Sequence, residues 1–269
     1  MKRSNISKLG LSAFLVASAI AVSVPARAAT INLGFALDSS GSITSSGWST
    51  ITSGLSAALS AIPVGGGNTY RVSVVSFSTS GLQTNIYTGE IDTAGDLTAL
   101  QTAVSGAGFL NGNTCISCGT DLLTSQFTTT WGATALTANT SIMNISTDGV
   151  PNQGETDGSI LQSTLTTAGW NAVSAEAIGN FDLTYLKQLV YPGPAATTND
   201  PNALPNPLTQ GFILEVADAD AYAGAIGSKV QRVVEANTPV PAALPLFASG
   251  FGGGALLLWR KKRKAKAIA

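Results

Sequence analysis

Between residues 30 and 236 the chain alternates short apolar runs with stretches whose apolar residues recur every three or four positions. The first run, residues 31–37, reads Ile-Asn-Leu-Gly-Phe-Ala-Leu. It has the length of a strand and no polar alternation, the pattern of a strand buried on both faces of a parallel sheet. Runs at 70–76, 141–146, 172–178 and 211–216 repeat it. Helical spacing fills most of the gaps. Residues 48–62 place Leu55, Ala58, Leu59 and Ile62 on one face, and Pro63 with the glycines at 65–67 ends that helix. Further helices are predicted around 97–104, 115–127, 160–168, 182–189 and 219–235. Asp182 caps one of them; Asp92, Asp96, Asp218 and Asp220 are read as caps as well. Residues 83–88, after Gly81, form a short edge strand, and the Pro- and Asn-rich stretch 191–209 reads as a long surface loop. Strands separated by helices imply parallel βαβ units. The predicted fold is α/β: a doubly wound, mostly parallel sheet with helices on both faces and one antiparallel edge strand.

The two ends break this rhythm. Residues 1–28 carry Lys2, Arg3 and Lys8, then an apolar stretch, then Ala26-Arg27-Ala28. That is the layout of a secretory signal peptide, so the mature chain is expected outside the cytoplasm, where disulfides form. One domain is expected over 29–236. Residues 237–241 form a stiff Pro-rich linker, and 242–259 contain no charged residue over 18 positions, enough for a transmembrane helix. Trp259 suits an interface, and six Lys or Arg follow in residues 260–266. By the positive-inside rule the 260–269 tail stays cytoplasmic and the main domain lies outside.

Charge must be read segment by segment. The overall balance is −1, yet ten of the 14 basic residues lie in the two terminal segments. Between them only Arg71, Lys187, Lys229 and Arg232 face all 15 acidic residues, a net of −11. Such a field repels nucleic acid and favours cations or basic partners. The chain has no histidine, which excludes serine triads, His-zinc centres and His general bases in their usual forms.

The candidate chemistry sits where strands end. After Leu37 come Asp38-Ser39-Ser40-Gly41-Ser42. Asp38, Ser40 and Ser42 offer a carboxylate and two hydroxyls at alternate positions, and hard oxygens suit a hard divalent cation. Taken alone, this stretch reads as an ordinary turn with polar caps. Two other loops change that. Gly112-Asn113-Thr114 stands before the third helix, and Thr147-Asp148-Gly149 ends the fourth strand. A doubly wound sheet brings such strand ends together, so Asp38, Ser40, Ser42, Thr114 and Asp148 can surround one ion.

The three-loop pattern resembles the von Willebrand factor type A domain family over roughly residues 30–236. The resemblance implies a metal-ion-dependent adhesion site. Ser40, Ser42 and Thr114 would be direct ligands, and Asp38 and Asp148 direct or water-mediated ones. The ion would be Mg²⁺, with Mn²⁺ or Ca²⁺ as alternatives, and one position would stay open for a carboxylate from a protein partner. Thr120, in Gly119-Thr120-Asp121, competes with Thr114; family spacing to a small residue in the helix selects Thr114 and Gly119, leaving Asp121 solvated.

Cys115 and Cys118 begin the same helix. Their spacing permits a disulfide that stiffens the Thr114 loop, or a redox pair; the Trp and Pro that flank thioredoxin-like pairs are missing, which favours the disulfide. The tail has its own likeness. Pro239-Val240-Pro241, the apolar span and the basic cluster resemble a PEP-CTERM sorting signal of Gram-negative bacteria, with Val240 in place of the usual Glu. That resemblance implies recognition by an exosortase, then release or attachment at the cell surface. Together these features predict a non-enzymatic, metal-dependent binding module, exported and sorted to the envelope or extracellular matrix. The alternatives are a structural exopolysaccharide or biofilm matrix component and a membrane-anchored periplasmic assembly factor.

Overall fold

The computed structural model describes residues 29–236. The expected signal peptide (1–28), the 237–241 motif, the expected transmembrane helix over 242–259 and the 260–269 tail lie outside the described residues. Within them, no helix is long and apolar enough to cross a membrane.

Among the described residues seven strands form one sheet. In chain order they are β1 (Thr30–Asp38), β2 (Thr69–Phe77), β3 (Gln83–Ile91), β4 (Thr140–Thr147), β5 (Ala172–Ile178), β6 (Ala196–Thr198) and β7 (Phe212–Val216). Their order in space is β3-β2-β1-β4-β5-β7-β6. Every pair is parallel except β2 with β3, so β3 is the antiparallel edge that the sequence implies. It runs to Ile91, further than expected, because Arg71 on β2 meets Glu90 directly across the ladder in a 2.8 Å ion pair. The 191–209 stretch also differs from expectation. Its residues 196–198 form β6, an edge strand hydrogen-bonded to β7, although the surrounding Pro and Asn carry no strand pattern.

Among the described residues six α-helices lie between and after the strands: α1 (Thr44–Ala58), α2 (Ala94–Ser105), α3 (Ile116–Trp131), α4 (Gly158–Ala168), α5 (Leu183–Leu189) and α6 (Ala219–Ala236). Helices α1, α2 and α6 pack on one face of the sheet and α3, α4 and α5 on the other. Strand β1 serves both. Ile31, Leu33, Phe35 and Leu37 join the first core and Ala36 the second. Gly34 has a steric reason to be glycine, since a Cβ there would lie 2.7 Å from Trp170 and 2.8 Å from Leu123.

Helix ends follow local chemistry. Thr93 and Asp96 form a capping box at α2, Asp157 caps α4, Asp182 caps α5, and Asp218 accepts the N–H of Ala221 at the start of α6. The capping roles expected of Asp92 and Asp220 are not seen: Thr93 holds the first position, and Asp220 lies inside the first turn of α6.

The topology fixes where a ligand can sit. From β1 the chain builds outward on one side through β2 and β3, then crosses back to place β4 on the other. The carboxyl ends of β1 and β4 therefore flank the switch point, where open α/β sheets leave a crevice. Asp38 ends β1, and Thr147 ends β4.

Candidate metal centre

The first loop splits its side chains between two tasks. Asp38 is 1 % exposed. Its Oδ1 accepts the Ser40 N–H at 2.8 Å, and its Oδ2 accepts the Thr147 hydroxyl at 2.6 Å. Ser40 Oγ lies 3.1 Å from Ser42 Oγ, and Ser42 donates to Asp148 Oδ1 at 2.8 Å. These five residues, Thr147, Asp38, Ser40, Ser42 and Asp148, form one continuous hydrogen-bonded chain. Ser39, between them, turns inward: its N–H donates to the Phe77 carbonyl, its Oγ accepts the Leu110 N–H, and its carbonyl accepts the Asn111 N–H. A single serine thus ties the first loop to the end of β2 and to the loop before α3.

Thr114 comes from that second loop. Its N–H donates to Asn152 Oδ1 at 3.1 Å, and its carbonyl accepts the N–H groups of Asn152 and Gln153. The third loop therefore wraps around Thr114. Gly149 rests on its side chain: a Cβ there would lie 2.6 Å from Thr114 Oγ1. Gly112 has φ of +114°, and a Cβ would lie 2.3 Å from Thr79 Oγ1. Only glycine lets the second loop pass so close to the end of β2. Cys115, the residue before α3, is joined to Cys118 in a disulfide, and its N–H donates to the Ser78 carbonyl. Gly154 of the third loop lies against the Cys115 sulfur.

The competing threonine is occupied elsewhere. Thr120 is fully buried in α3, where its hydroxyl donates to the Ser117 carbonyl at 3.0 Å. Thr114 and Asp148 line instead a groove of about 990 Å³ whose walls also include Ser42, Val150, Asp218 and Asp220.

The donor set fits a hard cation. All five residues present oxygen, and two of them are carboxylates. Among the described residues there is no group of three or more Asp, Glu, Cys or His side chains able to hold a metal. A site here rests on hydroxyls as much as on charge. Burial pushes the Asp38 carboxyl up to about 6, against the pull of its bonds to Ser40 and Thr147; the nearby Asp148 adds to the rise. Burial also raises Asp148, while Ser42 lowers it. Two neighbouring acids raised together, with no basic residue lining the adjoining groove, leave negative charge uncompensated by any cation there.

Three positioning residues escape sequence reasoning. Ser39 looks like a spacer, Ser78 like part of a turn, and Asn152 like a loop asparagine. Only the neighbouring loops reveal their roles. Asn111 carried a weak signal: its φ of +63° is one that asparagine tolerates.

The model of the von Willebrand factor type A domain matches residues 32–201, and the chain belongs to that family. No curated protein sequence matches it. Solved structures share the fold at low identity. Proximal thread matrix protein 1 from the mussel byssus, in a form "with zinc occupied MIDAS motif", is 15 % identical with a TM-score of 0.55, over 76 % of this chain and 46 % of that one. The pilus adhesin SpaC from Lactobacillus rhamnosus GG is 15 % identical with a TM-score of 0.53, over 78 % and 31 %. A von Willebrand factor type A protein from Catenulispora acidiphila is 14 % identical with a TM-score of 0.54, over 77 % and 43 %. The chain thus covers less than half of each of these proteins.

Proposed function

We propose that this protein is an exported, metal-dependent protein-binding module. The carrying observation is Asp38: a buried carboxylate at the sheet's switch point, hydrogen-bonded into a cluster of oxygens from the first and third loops, with no basic side chain beside it. Asp38, Ser40, Ser42, Thr114 and Asp148 would hold a divalent cation, with Mg²⁺ the first choice on the hardness of the donors. The bound ion supplies an open coordination position for an oxygen of the partner. Asp38 and Asp148 formally neutralise a divalent charge, so the partner's carboxylate is captured by coordination rather than by net attraction. The protein's own part is to hold the five oxygens in register, which Ser39, Asn152 and the Cys115–Cys118 disulfide do from behind.

Isothermal calorimetry of the full-length protein with Mg²⁺, Mn²⁺ and Ca²⁺ tests the reading. Saturable binding lost in Asp38→Ala is expected. Absence of binding by all three ions, or undiminished binding by the variant, would sink it. The module is proposed to be non-enzymatic: without histidine only a metal-activated water could act, and the site is built for ligand capture.

Export and sorting complete the proposal. The signal-peptide pattern supports passage through the inner membrane. The Pro239-Val240-Pro241 motif, apolar span and basic tail support exosortase processing and placement at the cell surface or in the extracellular matrix. Mass spectrometry of the C-terminus from envelope and medium tests this; an intact tail found only in membranes would favour a plain anchor.

A further inference from the structure

Helix α3 begins without the device that starts α2, α4 and α5. Those three are capped by Thr93, Asp157 and Asp182, each through a side-chain oxygen that accepts a backbone N–H. Cys115 holds the same position in α3, where its side chain makes no capping bond and the first turn has no acidic residue. This end is closed covalently instead. The disulfide joins Cys115, still outside the helix, to Cys118 in the first turn. With the bond open, α3 starts on an uncapped turn, and such turns fray.

That turn supports two loops of the metal centre. Thr114 directly precedes it. The third loop rests on it: the Glu155 N–H donates to Ser117 Oγ at 2.9 Å, and a Cβ on Gly154 would lie 2.7 Å from the Cys115 sulfur. Bonded sulfurs lie about 2 Å apart, whereas non-bonded ones keep more than about 3.5 Å. Cys115 is fully buried, so opening the bond disturbs the contact between the Thr114 turn and residues 154–155. Cys118 is partly exposed, which gives a reductant access to the pair. These are the chain's only cysteines, so no third thiol competes for either.

Resting on the metal-dependent reading above, we propose that Cys115 and Cys118 are a redox switch on the metal centre. The disulfide form holds Thr114 and the third loop for the ion, and the dithiol form binds it weakly. The reductant is a dithiol. One of its sulfurs, as thiolate, attacks the Cys118 sulfur; the S–S bond breaks and Cys115 leaves as a thiolate. The reductant's second thiolate then closes its own disulfide and expels Cys118. The two protons lost by the reductant end on the two cysteines, and two electrons pass to the pair. A disulfide oxidant reverses the exchange. The pair reduces no substrate; its state sets the affinity of the neighbouring site.

The test is Mg²⁺ calorimetry on full-length protein in three states: disulfide, reduced with dithiothreitol and desalted without air, and reoxidised. Thiol titration confirms that both cysteines are free in the reduced state. Mg²⁺ prefers hard oxygen ligands, so freed thiols do not compete for it. The reduced form should bind about 10-fold weaker or worse, the scale seen when groups supporting metal ligands are removed, and reoxidation should restore the affinity. Cys115→Ala with Cys118→Ala should match the reduced form and ignore the reductant. The bond spans three positions, so far-UV circular dichroism should report a retained fold in every state. Equal affinity of the disulfide and reduced forms, or a double variant that binds like the disulfide form, overturns the switch and leaves the metal site standing. Unfolding on reduction also overturns it, since the bond is then a structural staple. Failure of Mg²⁺ to bind in any state overturns the underlying site instead.

Discussion

Two carboxylates are buried on neighbouring parts of the sheet, and they are treated differently. Glu176, on β5, is fully covered and pairs with Lys229 of α6, itself 1 % exposed. Asp38, on β1, is just as covered but meets only hydroxyl and amide donors. Strand β4 serves both from successive residues. Ser146 donates to Glu176 at 2.7 Å on the α6 side, and Thr147 donates to Asp38 at the top of the strand. One buried charge is therefore closed internally and the other is left open. A fold that keeps an isolated carboxylate in its crevice is poised for a cation from outside, because an unpaired buried charge is costly. The Lys229–Glu176 pair shows that the same sheet can supply a counter-charge; at Asp38 it does not.

Breaking the closed pair should have the largest effect. Lys229→Met strands Glu176 in the core, and the expected loss is about 3–5 kcal/mol in denaturant unfolding. Adding Glu176→Gln should recover much of it, since Gln can still accept from Ser146. If the single variant loses under about 1 kcal/mol, the pair is not the closed charge described here.

The open carboxylate should respond to metal in the opposite sense from a stabilised charge. Saturating Mg²⁺ should raise stability by about 2.7 kcal/mol at a hundredfold excess over Kd. Asp38→Asn should abolish that gain while leaving the metal-free protein at least as stable as before, because it removes a buried unpaired charge. A metal-free variant markedly less stable than the unaltered protein would show that Asp38 is structural.

Much of this was readable beforehand. The run Ile31–Leu37 carried a two-faced buried strand, and Asp38-x-Ser-x-Ser with Gly-x-Thr and Thr-Asp-Gly carried the three loops, because strand ends converge in any doubly wound sheet. The contrast between Asp38 and Glu176 was not readable. Nothing near Glu176 in the chain announces Lys229, which lies 53 positions away and meets it only because α6 packs on β5. Ser39 was hidden for the same reason: its three bonds all go to other segments. β6 was hidden because backbone pairing with β7, rather than side-chain pattern, makes it a strand.

Acidity offers a further contrast. In the folded, metal-free protein Asp38 is raised from 3.8 to about 6, so the folded state holds a proton that the unfolded chain has released across that window. Stability should therefore fall as pH rises from about 4 to about 6 and level off above it, an effect on the order of 2–3 kcal/mol for a shift of this size. The ion should remove this slope, since coordination favours the carboxylate. Asp38→Asn should flatten it too. Thermal melts at stepped pH, with and without Mg²⁺, check all three.

The smallest effect separates the two hydroxyls of β4. Ser146→Ala and Thr147→Val each remove one donor from a buried carboxylate. Glu176 keeps Lys229 after the first change, so the expected cost is only about 1 kcal/mol of stability, with Mg²⁺ affinity unchanged. Asp38 keeps only its bonds to Ser40 after the second. Its charged form loses a donor bonded at 2.6 Å, and the Gly149 N–H loses the same hydroxyl as acceptor at 3.1 Å. Thr147→Val should therefore shift the metal-free pH profile further upward. It should also weaken Mg²⁺ by about tenfold, the equivalent of roughly 1.4 kcal/mol, by loosening both Asp38 and the loop that carries Asp148. Valine keeps the branched shape, so packing alone cannot produce the loss. If the two variants weaken Mg²⁺ equally, the hydroxyls of β4 are interchangeable supports and the division between a closed and an open carboxylate fails.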